Sequence, residues 1–389
     1  MSNAIALSQP YLRGQEWPYV KNCLDEEWVS SAGKYVDQFE QDICRYTQAK
    51  YAVAMSSGTA ALHIALKVGG IKPDDEVIVP TVTFIAPINA VHYMKAKPIF
   101  MDCDEFYNID VDKIVEFIET KTSFEKGFTF NKGTKRRIRA LIVVHVFGNA
   151  VNLKPLVALC KNRNILLIED ATESLGTVYK TAPYRDKHAG TIGDIGCLSF
   201  NGNKIITTGG GGMLLTNTET YAKRARYLST QAKDDPIFSI HEDVGYNYRL
   251  TNVQAAIGIA QLKNIRTILK KKRANYKIYK NSIKGIKGLN LADVPSYADN
   301  NHWMYALQID KAQYGRGLKD VLALFLMNKI EVRPLWYLNH LQTPYRQYQS
   351  YKIEKASRLL ETTLNIPCSA GLSKKDIAQV VGLLKRLKS

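Results

Sequence analysis

Between Asp194 and Thr216 the chain holds a single lysine, Lys204, inside an otherwise uncharged run of apolar and small residues. A lysine amine is a strong nucleophile only when its pKa falls, and apolar surroundings lower it because the charged form loses hydration. The plainer reading is a lysine that snorkels from a strand end. With 53 lysines and arginines in the chain, the choice rests on what else the sequence supplies.

Four other stretches carry groups suited to join it. Ser56-Ser-Gly-Thr59 opens a helical run, and the first N–H groups of a helix have no partner inside it and attract an anion. Gly58 and Thr59 are therefore candidate phosphate binders, against the simpler reading of a plain Ser/Thr N-cap. Glu169-Asp-Ala-Thr-Glu173 supplies Asp170 and Glu173, which could equally be an N-cap and a first-turn acid. Thr81-Val-Thr-Phe84 offers an aromatic ring. Ser199 places a hydroxyl five residues before Lys204, on the same predicted strand. His145 is either a packed histidine or a catalytic one. Gly209 to Gly212 lack a GK[ST] ending and precede an apolar strand, so they read as a tight turn.

A lysine, an acid, an aromatic platform and an anion seat together meet the needs of pyridoxal phosphate. The lysine forms the Schiff base, and the helix start with Ser199 holds the phosphate. Asp170 keeps the pyridine nitrogen protonated, because a buried carboxylate beside a cation stays charged. Phe84 stacks on the ring.

For these groups to meet, the elements must converge. Apolar runs at 51–55, 76–80, 98–101, 140–144, 165–168, 197–200 and 213–216 read as strands, several separated by helices such as 60–68, 86–94 and 153–163. Near-continuous apolar strands alternating with helices imply a mostly parallel sheet covered on both faces. Ligands of such sheets sit beyond the carboxyl ends of the strands, where the stretches above fall. Residues 17–46 read as two short helices split at 29–33, residues 121–138 as an inserted loop or hairpin, and residues 230–242, with Pro236, as a loop. A helix from Val253 continues into the basic segment 263–277. There we place the boundary between a large domain, 1–255, and a smaller α+β domain, 256–389. In the latter, 303–309 alternates like a strand, 317–329 is an amphipathic helix, and Ser373 with Asp376 caps the last helix.

Composition excludes several classes. At 389 residues, with 46% hydrophobic and 23% charged content, the chain is an ordinary globular protein of about two domains. No apolar run reaches the roughly 18 residues that span a bilayer, and no signal peptide is visible, so a cytoplasmic location is expected. The six cysteines are scattered without a CxxC pair, against zinc and disulfides. The net charge of +17 is spread along the chain, so no nucleic acid partner is expected. Such a field suits a phosphorylated cofactor and an anionic, nucleotide-linked substrate.

The stretches Ser30-Ser-Ala-Gly33, Ser56-Ser-Gly-Thr-Ala-Ala-Leu62, Val79-Pro-Thr-Val-Thr-Phe84, Val144-His-Val-Phe-Gly148, Glu169 to Glu173, Ser199-Phe-Asn-Gly-Asn-Lys204 and Gly245-Tyr-Asn-Tyr-Arg249 resemble, in this order, the sugar aminotransferases of the DegT/StrS type. The resemblance implies the aspartate-aminotransferase-like fold (fold type I), pyridoxal phosphate, and a homodimer with active sites at its interface. It makes Lys204 the Schiff-base lysine and Asp170 the pyridinium partner. Gly58, Thr59 and Ser199 become phosphate ligands, and Asn247 reaches the phosphate of the other subunit. Glu173 stands where many members carry Gln against the phenolic oxygen. The family also contains dehydratases with His in place of the lysine; Lys204 favours amino transfer. The resemblance points further to transfer from glutamate to C4 of a UDP- or GDP-linked 4-keto-6-deoxy-N-acetylhexosamine, as in legionaminic acid or bacillosamine formation. The alternative is a family aminotransferase or dehydratase acting on another keto sugar, such as the perosamine type. Substrate contacts are expected from the Ser30 loop, Arg249, and the Arg333 to His340 segment, with a structural salt bridge as the other reading of Arg249.

Overall fold

The computed structural model describes residues 4–235 and 237–388. Met1, Ser2 and Asn3, Pro236 of the expected loop, and Ser389 lie outside the described residues.

Seven strands form the body of the central sheet: β1 (Tyr51–Met55), β2 (Glu76–Pro80), β3 (Lys97–Met101), β4 (Arg137–Val144), β5 (Leu166–Asp170), β6 (Ile195–Ser199) and β7 (Gly212–Thr216). They lie in the order β1-β7-β6-β5-β4-β2-β3, with a two-residue strand, Ser350–Tyr351, beyond β3. All are parallel except β7, which runs antiparallel to β1 and β6. Their side chains are almost all buried, as the unbroken apolar runs require of a sheet covered on both faces. The insertion before β4 is a hairpin, Thr122–Glu125 with Phe128–Asn131, the second strand of which extends the sheet alongside β4.

The register of these strands positions the site. Met55 pairs with Gly212, and Gly212 with Ser199, so the ends of β1 and β6 are level across the start of β7. Val144, Asp170 and Cys197 form a second level row across β4, β5 and β6. The carboxyl ends of four strands thus open onto one edge.

Helices α1 (Glu16–Asp25) and α2 (Lys34–Thr47) flank the expected break. Helix α3 (Gly58–Val68) follows β1 directly, with Ser57 as its N-cap. The helix expected to run on from Val253 is two helices, α4 (Asn252–Lys263) and α5 (Ile265–Ile283), meeting at Asn264. Helix α4 opens with a Thr251–Gln254 capping box and packs on α1 and α2. It comes so close that a methyl group on Gly258 would stand 2.6 Å from the Phe39 ring.

A second core is built on four antiparallel strands, Leu289–Leu291, Tyr305–Ile309, Thr363–Ile366 and Arg333–Pro334, in that spatial order. Helices Leu318–Met327 and Lys374–Lys388 cover it, the latter capped reciprocally by Ser373 and Asp376. Side chains of the α4–α5 pair through Leu269 join the first core and those from Tyr276 join the second. The handover from one core to the other therefore falls within α5, later in the chain than position 255. The N-terminal segment also crosses over: Ile5 exchanges backbone hydrogen bonds with Lys329 and Glu331.

Among the described residues no helix is long and apolar enough to cross a membrane, and no cluster of three or more His, Cys, Asp or Glu could hold a metal ion. All six cysteines are free.

Candidate active site

A cavity of about 710 Å³ opens where the carboxyl ends of β1, β5 and β6 meet the second core. Lys204 reaches it from the turn just past β6, its amide donating to the Asn201 carbonyl at 3.0 Å. The lysine is thus not on the strand that carries Ser199. A turn lets its side chain point along the strand axis into the cavity, where a strand position would send it to one face of the sheet.

The Lys204 amine lies 3.7 Å from Glu173 Oε1 and 4.0 Å from the centre of the Trp303 ring. Burial holds it below the usual lysine range, opposed by the charges of Glu173 and Asp170. Burial likewise pushes the Glu173 carboxyl up to about 7, opposed by Lys204 and by the Phe147 N–H that donates to its Oε2 at 2.8 Å. Both partners are drawn towards neutrality, and a neutral amine is the nucleophilic form.

Asp170, the last residue of β5, is 2% exposed and accepts the Thr172 N–H at 3.1 Å. Burial raises its pKa, and Thr172, Lys204 and His145 oppose that rise. A cationic N–H placed against it would pull in the same direction as Lys204.

The anion seat is formed by α3. Ser57 Oγ accepts the Ala60 N–H at 3.0 Å, leaving the Gly58 and Thr59 amides at the helix start free of intrahelical partners. A methyl group on Gly58 would stand 3.0 Å from Ser199 Cβ and from Thr172 Cγ2. The absence of a side chain there keeps open the approach to the helix amides beside the Ser199 hydroxyl. Phe84 is 55% exposed and lines the same cavity. Its loop is held by Asn339 Nδ2, which donates to the Thr81 and Thr83 carbonyls.

The structure therefore brings Lys204, Asp170, Glu173, Ser199, Gly58, Thr59 and Phe84 together around one cavity. Of the expected Arg333 to His340 segment it brings Arg333, Pro334 and Trp336 there, but not His340, nor Ser30, Asn247 or Arg249 of the same chain. Arg249 is held by Glu40, 2.6 Å away, and by the Ala54 carbonyl, so its guanidinium serves a buried ion pair shared with Arg226. The Ser30 carbonyl accepts the Asn252 N–H and caps α4. His340 braces the Phe84 loop through Thr81 Oγ1 at 2.7 Å. Asn247 is exposed, bridged to Thr230, and outside its own chain's cavity. His145 is packed: Nε2 faces Glu169 Oε2 at 2.9 Å while Nδ1 accepts the Val151 N–H.

Ser57, Thr172, Asn203, Trp303, Arg333, Trp336 and Asn365 line the cavity as well. Ser57 stands in the same turn as Gly58, and its N-cap position was the available signal. Trp303 packs in the first core just before a strand of the second sheet, and Asn365 lies on a strand of that sheet, both on segments with no chemical signature of their own.

A half-buried lysine just past β6 with a lowered pKa, a buried acid at the end of β5 and a helix start opened by glycine fit pyridoxal phosphate. Asn203 Oδ1, buried in the cavity wall and without a hydrogen-bond partner among the described residues, leaves further polar capacity there. Sheet, helix start and lysine define a pyridoxal-phosphate enzyme of fold type I.

The chain belongs to the DegT/DnrJ/EryC1/StrS aminotransferase family, whose model matches residues 10–385. It is 36% identical over 378 residues to a GDP-perosamine synthase of Escherichia coli O157:H7, covering 97% of this chain and 96% of that protein. It is 33% identical over 394 residues to the putative pyridoxal phosphate-dependent aminotransferase EpsN of Bacillus subtilis, covering 100% and 96%. Its fold matches that of the aminotransferase TlmJ from Streptoalloteichus hindustanus with a TM-score of 0.87, at 24% identity and 99% coverage of both chains. It is a pyridoxal-phosphate-dependent sugar aminotransferase of this family.

Proposed function

We propose that the protein moves an amino group from L-glutamate to C4 of a nucleotide-linked 4-keto-6-deoxyhexose. The observation that carries the amino-transfer reading is the Lys204 amine, poised between Glu173 and Trp303 in the cavity that Asp170 also lines from the end of the neighbouring strand β5. For the acceptor, two sugars stand out. The motif resemblance suggests the N-acetylated 4-keto sugar, UDP- or GDP-linked. The 36% identity to a GDP-perosamine synthase supports the GDP-linked sugar of the perosamine type, and we adopt it as the leading reading.

When bound, pyridoxal phosphate carries the amino group between substrates and spreads the negative charge left at carbon when a proton is removed. The chain does the rest. Lys204, its pKa lowered by burial and its amine in the same cavity, would take that proton and return it as general base and acid. Asp170 would fix a positive charge on the ring nitrogen, and Gly58, Thr59 and Ser199 would hold the phosphate. Glu173, 3.7 Å from Lys204, would meet the ring oxygen, and Trp303, its ring 4.0 Å from the amine, would shield it from water. In the same proposal two copies associate, with Asn247 contributing to the partner's phosphate site, and the enzyme works in the cytoplasm.

Borohydride treatment of the purified yellow protein should fix the cofactor on the peptide holding Lys204, and glutamate should bleach it. The loaded enzyme is then given GDP-4-keto-6-deoxymannose and, separately, UDP-linked 4-keto-6-deoxy-N-acetylglucosamine. Amination of the GDP sugar supports the leading reading. Amination of the UDP sugar alone moves the assignment to the N-acetylated substrate, and turnover only of a 3-keto sugar refutes C4 transfer.

A further inference from the structure

We infer that Ser8 is a positioning residue for Lys204: its hydroxyl, together with the Trp303 indole N–H, clamps the Asn203 carbonyl and so fixes the turn from which the lysine projects. The inference rests on Lys204 as the proton carrier of the reading above. Ser8 Oγ donates to the Asn203 carbonyl at 3.1 Å, and Trp303 Nε1 donates to the same oxygen at 2.7 Å. A carbonyl oxygen has two lone pairs, so it can accept from both donors at once. The next residue of the chain is Lys204.

The turn needs such support. At its base the chain is tied back, because the Phe200 N–H donates to the Gly211 carbonyl and the Thr208 N–H to the Phe200 carbonyl, both at 2.9 Å. The tip, from Asn201 to Lys204, is exposed or half-buried, and it is closed by the bond from the Lys204 N–H to the Asn201 carbonyl. Surface turns are the mobile parts of a fold. A proton carrier must nevertheless be held closely, since a misplacement of about 1 Å can cost about 100-fold in rate.

Both donors come from outside the sheet that carries the turn, and both are fastened. On one side of Ser8, Ile5 exchanges backbone hydrogen bonds with Lys329 and Glu331, and the Leu7 N–H donates to Glu331 Oε2 at 3.1 Å. The Leu7 carbonyl accepts the Cys368 N–H at 2.7 Å, and on the other side of Ser8 the Gln9 N–H donates to Ser369 Oγ at 2.8 Å. The hydroxyl is therefore presented from a backbone held on either flank. Trp303 leads into the strand Tyr305–Ile309, and its own N–H donates to Asn301 Oδ1 at 2.8 Å. Its ring lies 4.0 Å from the Lys204 amine, so one side chain holds the peptide before the lysine and also covers its amine. Ser8 lines the cavity too, yet its hydroxyl is spent on Asn203. It acts through the backbone of the turn.

The test uses holoenzyme with L-glutamate alone, followed by absorbance, in Ser8→Ala, Ser8→Thr and Trp303→Phe. The last keeps an aromatic ring and loses the N–H. Ser8→Ala and Trp303→Phe should each lower the limiting rate per bound cofactor by about tenfold, with the half-saturating glutamate concentration unchanged. Ser8→Thr, which keeps a hydroxyl, should retain most of the rate. With glutamate deuterated at Cα, the isotope effect on that rate in Ser8→Ala should be at least as large as in the wild type, because proton transfer is the step that slows. A merely structural role would instead lower the unfolding midpoint and leave the rate per bound cofactor intact. That result, a shift in half-saturation in place of rate, a shrunken isotope effect, or equal losses in Ser8→Ala and Ser8→Thr overturns the inference and leaves the functional reading standing. Borohydride labelling of another lysine overturns both.

Discussion

Lys204 was legible because it is a charge where the chain has none, and its surroundings in the fold give that oddity a use. Replacing it by Ala removes the proton carrier as well as the cofactor anchor. Turnover should fall by at least about 1,000-fold, with partial recovery on adding a small primary amine. A Lys204→Ala enzyme that keeps a tenth of its activity would refute its role. Glu173 makes a separate prediction because its carboxyl is buried and pushed up to about 7 from an ordinary 4.5. Between those values the folded protein holds a proton that the unfolded chain has released. Glu173 therefore contributes stability that is full below about 4.5 and is lost as pH rises through about 7. Between pH 5 and pH 8 in urea titrations of the apoprotein, the wild type should lose on the order of 2 kcal/mol more than Glu173→Gln, because Asp104, also pushed up to about 7 by burial, titrates in both proteins. Parallel behaviour of the two proteins would show that the carboxyl is ionised throughout. Trp303 and Asn365 were not legible, because a tryptophan in an alternating run and an asparagine in a strand are ordinary residues until the fold turns them towards Lys204.

At the scale of elements, strands and helices followed from periodicity, yet their register did not. The apolar run of β7 says that it is buried but not that it lies between β1 and β6, or that it runs against them. That placement is what sets Met55, Gly212 and Ser199 side by side and so joins the helix start to the end of β6. The join at Asn264 was hidden for a related reason: its backbone, at φ −94° and ψ −1°, barely departs from helix, so the apolar periodicity runs through it. Two glycines of this region test the arrangement from opposite sides. A methyl group on Gly212 would meet the Ser57 backbone at 2.4 Å, which nothing can relieve without parting β7 from the start of α3. Gly212→Ala should therefore lower stability by about 1–3 kcal/mol in urea titration. On Gly58 the methyl would meet only side-chain carbons at 3.0 Å. Gly58→Ala should leave the unfolding midpoint of the apoprotein nearly unchanged and weaken pyridoxal phosphate binding by about tenfold, measured by equilibrium titration. Equal losses of stability in both variants would contradict the separation.

The whole molecule carries a net charge of +17 that neither core explains. Some of it is neutralised locally, as where Glu40 holds both Arg226 and Arg249. Elsewhere it is not: Arg266, Lys270 and Lys277 lie along one side of α5 and, among the described residues, have no acidic partner. Their spacing is that of one helix face, so they add to a field and make no pocket for a base or a phosphate. The consequence is kinetic. A long-range positive field raises the encounter rate of a multiply anionic sugar nucleotide and is screened once the Debye length falls from about 30 Å at 0.01 M salt to about 3 Å at 1 M. Between roughly 20 and 500 mM sodium chloride, kcat/KM for the sugar nucleotide should fall several-fold while kcat changes little. Charge reversal of Arg266, Lys270 and Lys277 together should flatten that dependence, because they lie outside the cavity and touch no step of the reaction. A salt dependence that persists in the triple variant would assign it to cations elsewhere on the molecule.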